Sequence, residues 1–134
     1  MTLSVSLEMD GQGVVFTFNG VLKGDEIYSA SQQLYTDANL RRLRYQIVDL
    51  TRVSRIEIST RQIQALAELD CQAATFAGGF FVASVVSHDL QESISQFYRA
   101  YLECSAIDAK IFRTLTMARN WVQEKMGNTQ IQIA

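Results

Sequence analysis

The sequence predicts an α/β fold with a mixed sheet of about five strands and four helices. Near the amino terminus, apolar and polar residues alternate as they do in strands, and further along apolar residues recur at helical spacing between short apolar runs. The resulting order is β-β-α-β-α-β-α-β-α. An antiparallel hairpin therefore comes first, and helical crossovers connect the later, parallel strands.

Composition indicates one ordered domain over residues 1–134. Of these residues 48% are hydrophobic and 19% charged, and the absence of proline, repeats and low-complexity sequence leaves nothing to mark a linker. The net charge of −2 argues against a general nucleic-acid binder, because affinity for phosphates needs a dense basic surface. No apolar run approaches the roughly 18 residues that span a bilayer, and the first residues lack a secretory signal. We therefore expect a cytoplasmic protein.

The first half of the chain is assigned from alternation, turn residues and helix caps. Residues 3–9 and 14–18 alternate as strands around a turn at 10–13, and residues 45–50 form a third strand. A polar loop is expected at residues 51–55. The first helix follows Gly24 and Asp25, and its apolar stripe consists of Ile27, Ala30, Ser31, Leu34 and Ala38.

The second half alternates helices with short strands. Ser59 precedes a helix that Gly78 and Gly79 end, and residues 80–86 form a central strand. A helix from Asp89 is expected to turn Leu90, Ile94, Phe97, Tyr101 and Leu102 inward. A strand at 110–113 precedes a last helix, which Thr114 caps and Gly127 and Asn128 stop, and residues 131–133 alternate like a strand.

Candidate catalytic and metal-binding groups are few, so we predict no catalytic residue, cofactor or metal. The single histidine, His88, is interpreted as an exposed loop residue beside a capping aspartate. Cys71 and Cys104 fall in helical patterns as small hydrophobes, too few and unpatterned for a disulfide framework or a zinc site. Asp70 lies seven residues after Ile63, near the apolar stripe of its helix, where it would be a half-buried acid.

Residues 48–60, with the sequence VDLTRVSRIEIST, resemble the signature of STAS domains, the family of the anti-sigma-factor antagonist SpoIIAA. That signature is a strand ending in Asp-Leu, a short polar loop and a serine that opens a helix. The element order also matches over nearly the whole chain. It is most similar to a divergent SpoIIAA-like branch of small bacterial proteins, grouped loosely with Sec14-type lipid-binding domains. The resemblance implies a SpoIIAA-like fold.

The resemblance also implies a position for the regulatory serine. Ser59 corresponds to the family's phosphorylated serine, and Glu57 replaces an aspartate of the signature. Ile58, Thr60 and Arg61 stand where the signature has a serine, a glycine and an apolar residue.

A regulatory or protein-interaction module of STAS type is therefore the leading function. Free amide groups and the dipole at a helix start favour a phosphoryl group or another anion. Six of the twelve lysines and arginines lie between positions 41 and 61, against two acidic residues. Simple helix capping by Ser59 and solvation of the arginines are the competing interpretations. The contact surface is predicted to comprise Ser59, Thr60, Arg61, Arg55, Arg52 and Glu57.

The alternative function is a carrier or sensor of a lipid or another small apolar ligand. Aromatic side chains at helical spacing would line its pocket, although such stripes usually belong to the core. An enzyme is the third alternative. The identity of the protein partner and homodimer formation stay open. The candidate pocket residues are Phe80, Phe97, Tyr98, Tyr101 and Trp121.

Overall fold

The computed structural model describes residues 3–133, and the side chains of residues 3–127, around one five-stranded sheet. The strands lie in chain order. The first pair is antiparallel and the other three pairs are parallel, so the predicted mixed α/β sheet is confirmed. The strands are β1 (Leu3–Glu8), β2 (Gly13–Lys23), β3 (Tyr45–Glu57), β4 (Phe80–Val85) and β5 (Ile107–Phe112). The helices are α1 (Gly24–Leu34), α2 (Asp37–Leu40), α3 (Thr60–Ala77), α4 (Asp89–Ala100) and α5 (Leu115–Ile133).

Helices cover both faces of the sheet. Successive strand residues point to opposite faces of the sheet. Because both faces are covered, β3 and β4 carry apolar side chains on both sides. The larger core lies under α1, α3 and α4 and contains Phe16 and Leu66. The smaller core lies under α5, where Ile47 and Val85 of the sheet meet Val122.

An ion pair and a hydrogen bond fix α5 to the hairpin. Arg119 Nη1 lies 3.0 Å from Glu8 Oε1, and the Tyr45 hydroxyl donates to the same oxygen at 2.6 Å. The hydrogen bond from Arg119 is the largest cause of the lowered pKa of Glu8. This cluster closes the amino-terminal end of β3 against α5.

Strand β3 is longer than predicted, and the expected polar loop at residues 51–55 is wrong. The strand continues to Glu57 because residues 19–23 of β2 pair with its carboxyl half, across two irregularities in register. Val53 is buried there, while Arg52 and Arg55 are exposed. The polar residues that suggested a loop therefore belong to a two-stranded extension of the sheet.

The first helix ends earlier than its apolar stripe predicts. Helix α1 stops at Leu34, and Ala38 belongs to the short helix α2. The reason is a new cap: Thr36 Oγ1 accepts a hydrogen bond from the Asn39 amide at 3.1 Å. Tyr35 therefore lies in the connection between the two helices, where its side chain is free to turn inward.

The inward face predicted for α4 is correct at Ile94, which packs against the larger core, but wrong at Leu90 and Phe97. Leu90 and Phe97 are both 53% exposed, whereas Gln91 and Ser95 are buried. The reason lies in β3, which extends beyond its last pair with β4 and leaves a backbone carbonyl uncovered. Gln91 Nε2 donates to the Val53 carbonyl at 2.9 Å, and this bond sets the rotation of the helix.

The ends of the last two elements also differ from prediction. Strand β5 begins at Ile107, three residues before the predicted start, and pairs with β4 along six residues. Thr114 caps α5 as expected, since its hydroxyl accepts from the Met117 amide at 3.1 Å. The helix passes the predicted stop at Gly127 and continues to Ile133, so the strand suggested for residues 131–133 is wrong. Glycine lowers helix propensity without preventing a helix.

The two cysteines form a disulfide, which contradicts their interpretation as separate small hydrophobes. Cys71 lies on α3 and Cys104 in the loop after α4, with Cα atoms 5.8 Å apart. Sequence spacing could not show this proximity, because the two cysteines come together only through the packing of α4 beside α3. Disulfides persist mainly in oxidising compartments. The bond therefore weighs against the cytoplasmic location, which stays a prediction.

Candidate functional site

A cavity of about 60 Å³ lies between the sheet and helices α1, α3 and α4. Strands β2, β3 and β4 contribute to its walls, and most lining side chains are aliphatic, including Leu22, Ile27 and Ile63. A buried water needs roughly 10–15 Å³ of such space. The cavity therefore accommodates a few small groups and not an acyl chain.

Asp70 provides the acidic group of this cavity and is 5% exposed. The Tyr35 hydroxyl donates to Asp70 Oδ1 at 2.6 Å, and the Tyr98 hydroxyl donates to Oδ2 at 2.5 Å. Gln46 Nε2 donates in turn to the Tyr35 oxygen at 2.7 Å. We call these four residues the Asp70 cluster. It links β3, α3 and α4 with the connection that follows α1.

Burial changes the protonation of the cluster. Burial raises the pKa of Asp70 and the hydrogen bonds from Tyr35 and Tyr98 offset this only in part, so that its pKa is about 6. Burial and the neighbouring carboxylate raise the pKa of both phenols well above the usual value. The tyrosines therefore stay protonated donors, while Asp70 changes charge close to neutral pH.

Ser95 of α4 contributes a further polar group to the cavity. It is 3% exposed, and among the described residues its hydroxyl is the buried side-chain polar atom that lacks a hydrogen-bond partner. Ser95 precedes Tyr98 by three residues, which places both on one face of the helix. The hydroxyl therefore lies in the same cavity as the Asp70 cluster, with its hydrogen-bonding capacity unused.

The five aromatic residues predicted to line a pocket do not come together. Tyr98 lines the cavity, Phe80 is buried in the larger core, and Phe97 is exposed on α4. Tyr101 lies beside the disulfide, and Trp121 packs against Phe81 and Phe112 under α5. Aromatic spacing located one lining residue, because helical periodicity does not show which face of the sheet each helix covers.

The predicted helix start at Ser59 forms at the surface. Ser59 Oγ accepts from the Gln62 amide at 3.1 Å, and Gln62 Oε1 accepts from the Ser59 amide at 2.9 Å. This reciprocal arrangement is a capping box. Ser59, Thr60 and Arg61 are exposed. At Gly24 of α1, an added Cβ would clash with the Gln62 side chain, so the starts of α1 and α3 pack closely together.

The arginines between positions 41 and 61 form two groups and not one patch. Arg41, Arg42 and Arg44 precede β3, whereas Arg52, Arg55 and Arg61 lie near its other end. At about 3.3 Å per strand residue, roughly 25 Å separates Arg44 from Arg52. Arg55 Nε lies 3.4 Å from Glu57 Oε2 in an exposed pair. Three arginines therefore belong to the region around Ser59.

Comparison with solved structures identifies the fold. The chain is similar to an uncharacterized protein of the DUF3478 family from Shewanella loihica PV-4, whose crystal structure is described as having a SpoIIAA-like fold. The similarity covers 90% of this chain and 91% of that chain, with a TM-score of 0.52 and 18% sequence identity. This chain has the SpoIIAA-like fold. The fold implied by residues 48–60 is thereby confirmed.

The comparisons of sequence add no further relative. No protein-family model matches the chain, and no curated protein matches it. The SpoIIAA-like fold is therefore established by structure, and the two sites on it, the cavity and the start of α3, rest on the geometry given above.

Other functional groups on this SpoIIAA-like fold are sparse. Across residues 3–133 no cluster of three histidine, cysteine or acidic side chains could hold a metal ion. The same stretch contains no helix that is both long and apolar enough to cross a membrane. His88 is exposed, as predicted, and precedes the first turn of α4.

Of the Asp70 cluster and Ser95, sequence reasoning identified two residues. Asp70 was noted because an acid lies near the apolar stripe of its helix, and Tyr98 because it belongs to the aromatic set. Tyr35, Gln46 and Ser95 were missed. A polar residue inside an otherwise apolar strand, such as Gln46, is a usable signal, because a buried polar side chain needs a partner.

Proposed function

We propose that this chain is a non-catalytic regulatory module of STAS type that binds a protein partner. Its contact surface, which we call the Ser59 surface, is formed by the end of β3 and the start of α3. The observation that carries the proposal is the exposed capping box at Ser59, which fixes the shape of this surface before any partner arrives. The Ser59 surface comprises Arg52, Arg55, Glu57, Ser59, Thr60 and Arg61.

The charge of the Ser59 surface supports a regulated contact. Three arginines and one glutamate give it a net positive charge in a protein whose formal net charge is −2. Such a surface favours an acidic partner and speeds its association. Phosphate on Ser59 would add a charge near −2 at a helix start, where the dipole tolerates it, and would cancel the local net positive charge.

Binding is favoured over catalysis by the arrangement of the side chains. A catalytic nucleophile must lie within hydrogen-bond reach of an oriented base. Asp70 is held by two phenols inside the fold, and His88 is at the surface beside Asp89. These groups lie in different parts of the molecule, so the proposed function requires recognition alone.

Affinity purification tests the proposed surface. Tagged native chain is expressed in its own cells, and its co-purifying proteins are compared with those of Ser59→Asp and Arg61→Glu. Arg41→Glu is the matched control, because it makes the same charge change on an exposed arginine before the other end of β3. We expect both test variants to lose a partner that the control retains. An identical set of proteins with all four chains would refute the Ser59 surface.

The alternative of a lipid carrier finds less support. The cavity of about 60 Å³ is smaller than the roughly 150 Å³ of an engineered cavity that admits benzene. A small-molecule sensor is compatible with the cavity, whereas transport of a long acyl chain is not. Homodimer formation stays a prediction, and light scattering of the purified chain measures it directly.

A further inference from the structure

The cavity beneath α1, α3 and α4 has the character of a binding site and not of a packing defect. Defects in a core are lined by apolar atoms and stay dry. This cavity combines aliphatic walls with the carboxyl group of Asp70 and the hydroxyl of Ser95. Both residues are more than nine-tenths buried. The polar groups therefore need an explanation that packing does not supply.

The first unexplained feature is the charge of Asp70. Each carboxyl oxygen accepts one hydrogen bond from a neutral phenol, which leaves acceptor capacity on both. No lysine, arginine or histidine pairs with it in the described part of the chain. Buried carboxylates are normally compensated by a cation. A positive charge is the missing complement.

The second unexplained feature is the Ser95 hydroxyl. Most buried side-chain polar atoms have a hydrogen-bond partner, and an unsatisfied one needs a specific cause. This hydroxyl has no partner in the protein although it lines the cavity. Because Ser95 and Tyr98 share one face of α4, the free hydroxyl lies on the same side as the phenol that binds Asp70.

We propose that the cavity binds a short-chain primary alkylammonium ion. The ammonium group has three donors, which suit the free acceptor capacity of Asp70 and Ser95. The alkyl chain packs against aliphatic walls such as Ile27 and Ile63. The volume of about 60 Å³ limits the ligand to a few nonhydrogen atoms, as in propylammonium. This site goes beyond the Ser59 surface and does not depend on it.

Titration of the native chain with propylammonium tests the site. Methyl NMR signals of Ile27, Ile63 and Ile94 report on the cavity, since all three side chains line it. We expect saturable shifts of these methyl groups, and binding of the neutral analogue 1-propanol that is weaker by roughly tenfold or more, because it lacks the charge. Equal binding of 1-propanol, or shifts confined to surface acids, would overturn the proposal.

Variants separate the site from general effects of charge. Asp70→Asn should weaken propylammonium by roughly tenfold or more, whereas Asp25→Asn, an exposed matched control, should not change it. Ser95→Val removes the hydroxyl and places two methyl groups on Cβ, which narrows the cavity, so it should abolish the saturable shifts. It keeps the proposal falsifiable if Asp70→Asn does not fold. Native-like binding by a folded Asp70→Asn or Ser95→Val variant would overturn the proposed site.

Discussion

The protonation of Asp70 makes the stability of this chain depend on pH in a direction opposite to that of most carboxylates. Its pKa in the folded chain is raised to about 6 from an ordinary value of 3.8, mainly because the group is buried. A raised pKa means that the folded chain holds this proton more tightly than the unfolded chain. The stabilisation is therefore complete below about pH 4 and is lost as the pH rises through about 6.

The size of the effect follows from the two pKa values. One pH unit corresponds to about 1.4 kcal/mol. As the pH rises from below 3.8 to above about 6, deprotonation of Asp70 therefore lowers the free energy of unfolding by about 3 kcal/mol. Asp70 is 5% exposed, so solvent screening reduces this value little. Total stabilities of domains are only about 5–15 kcal/mol, so the effect is easily measured.

Urea denaturation of the native chain and of Asp70→Asn isolates this contribution. The difference in free energy of unfolding between the two proteins should change by about 3 kcal/mol between about pH 4 and about pH 7, with the native chain losing more. Glu8, whose pKa is lowered, acts in the other direction, but it is present in both proteins and cancels. Asp25→Asn serves as an exposed control. Parallel curves for native and Asp70→Asn chains would refute the assigned burial of this carboxyl group.

Three further stability predictions follow from single contacts. Reduction of the bond between Cys71 and Cys104, which are 33 positions apart, should lower the free energy of unfolding by about 4 kcal/mol in the loop-entropy description. Urea midpoints with and without reductant measure this loss. The midpoint of a variant with serine at both positions should be the same with and without reductant. Gln91→Leu should cost about 1–3 kcal/mol because it leaves the buried Val53 carbonyl unpaired, and an unchanged urea midpoint would contradict that bond. Ser59→Ala should cost about 1 kcal/mol through loss of the cap, measured as a lower thermal midpoint.

Much of the fold could be predicted because local patterns agree with the tertiary structure. The hairpin follows from alternation, and α3 follows from a serine at one end and a glycine at the other. Gly78 adopts φ 85°, a left-handed conformation that suits glycine at a helix end. Where local sequence signals agree with the tertiary packing in this way, a single sequence is enough to predict the element.

Three of the misplaced features depend on contacts between distant residues. The rotation of α4 is set by Gln91 and the Val53 carbonyl, which are 38 positions apart, and Tyr98 meets Asp70 across 28 positions. Leu90 and Phe97, two apolar residues of α4 that were expected to face inward, are exposed instead. In the same way, the length of β3 depends on pairing with β2, and the cysteines meet only once α4 is in place. The candidate site was largely missed for this reason.

The division of labour between the two helical layers has a consequence for synthesis on the ribosome. Helices α1, α3 and α4 cover one face of the sheet. The other face is covered only by α5, the final element in the described part of the chain. In a nascent chain that ends after β4, the side chains of Ile47, Ala83 and Val85 are exposed to solvent, because α5 has not yet been made. If translation stalls before α5, the resulting intermediate exposes hydrophobic surface and is therefore prone to aggregation and to binding by chaperones.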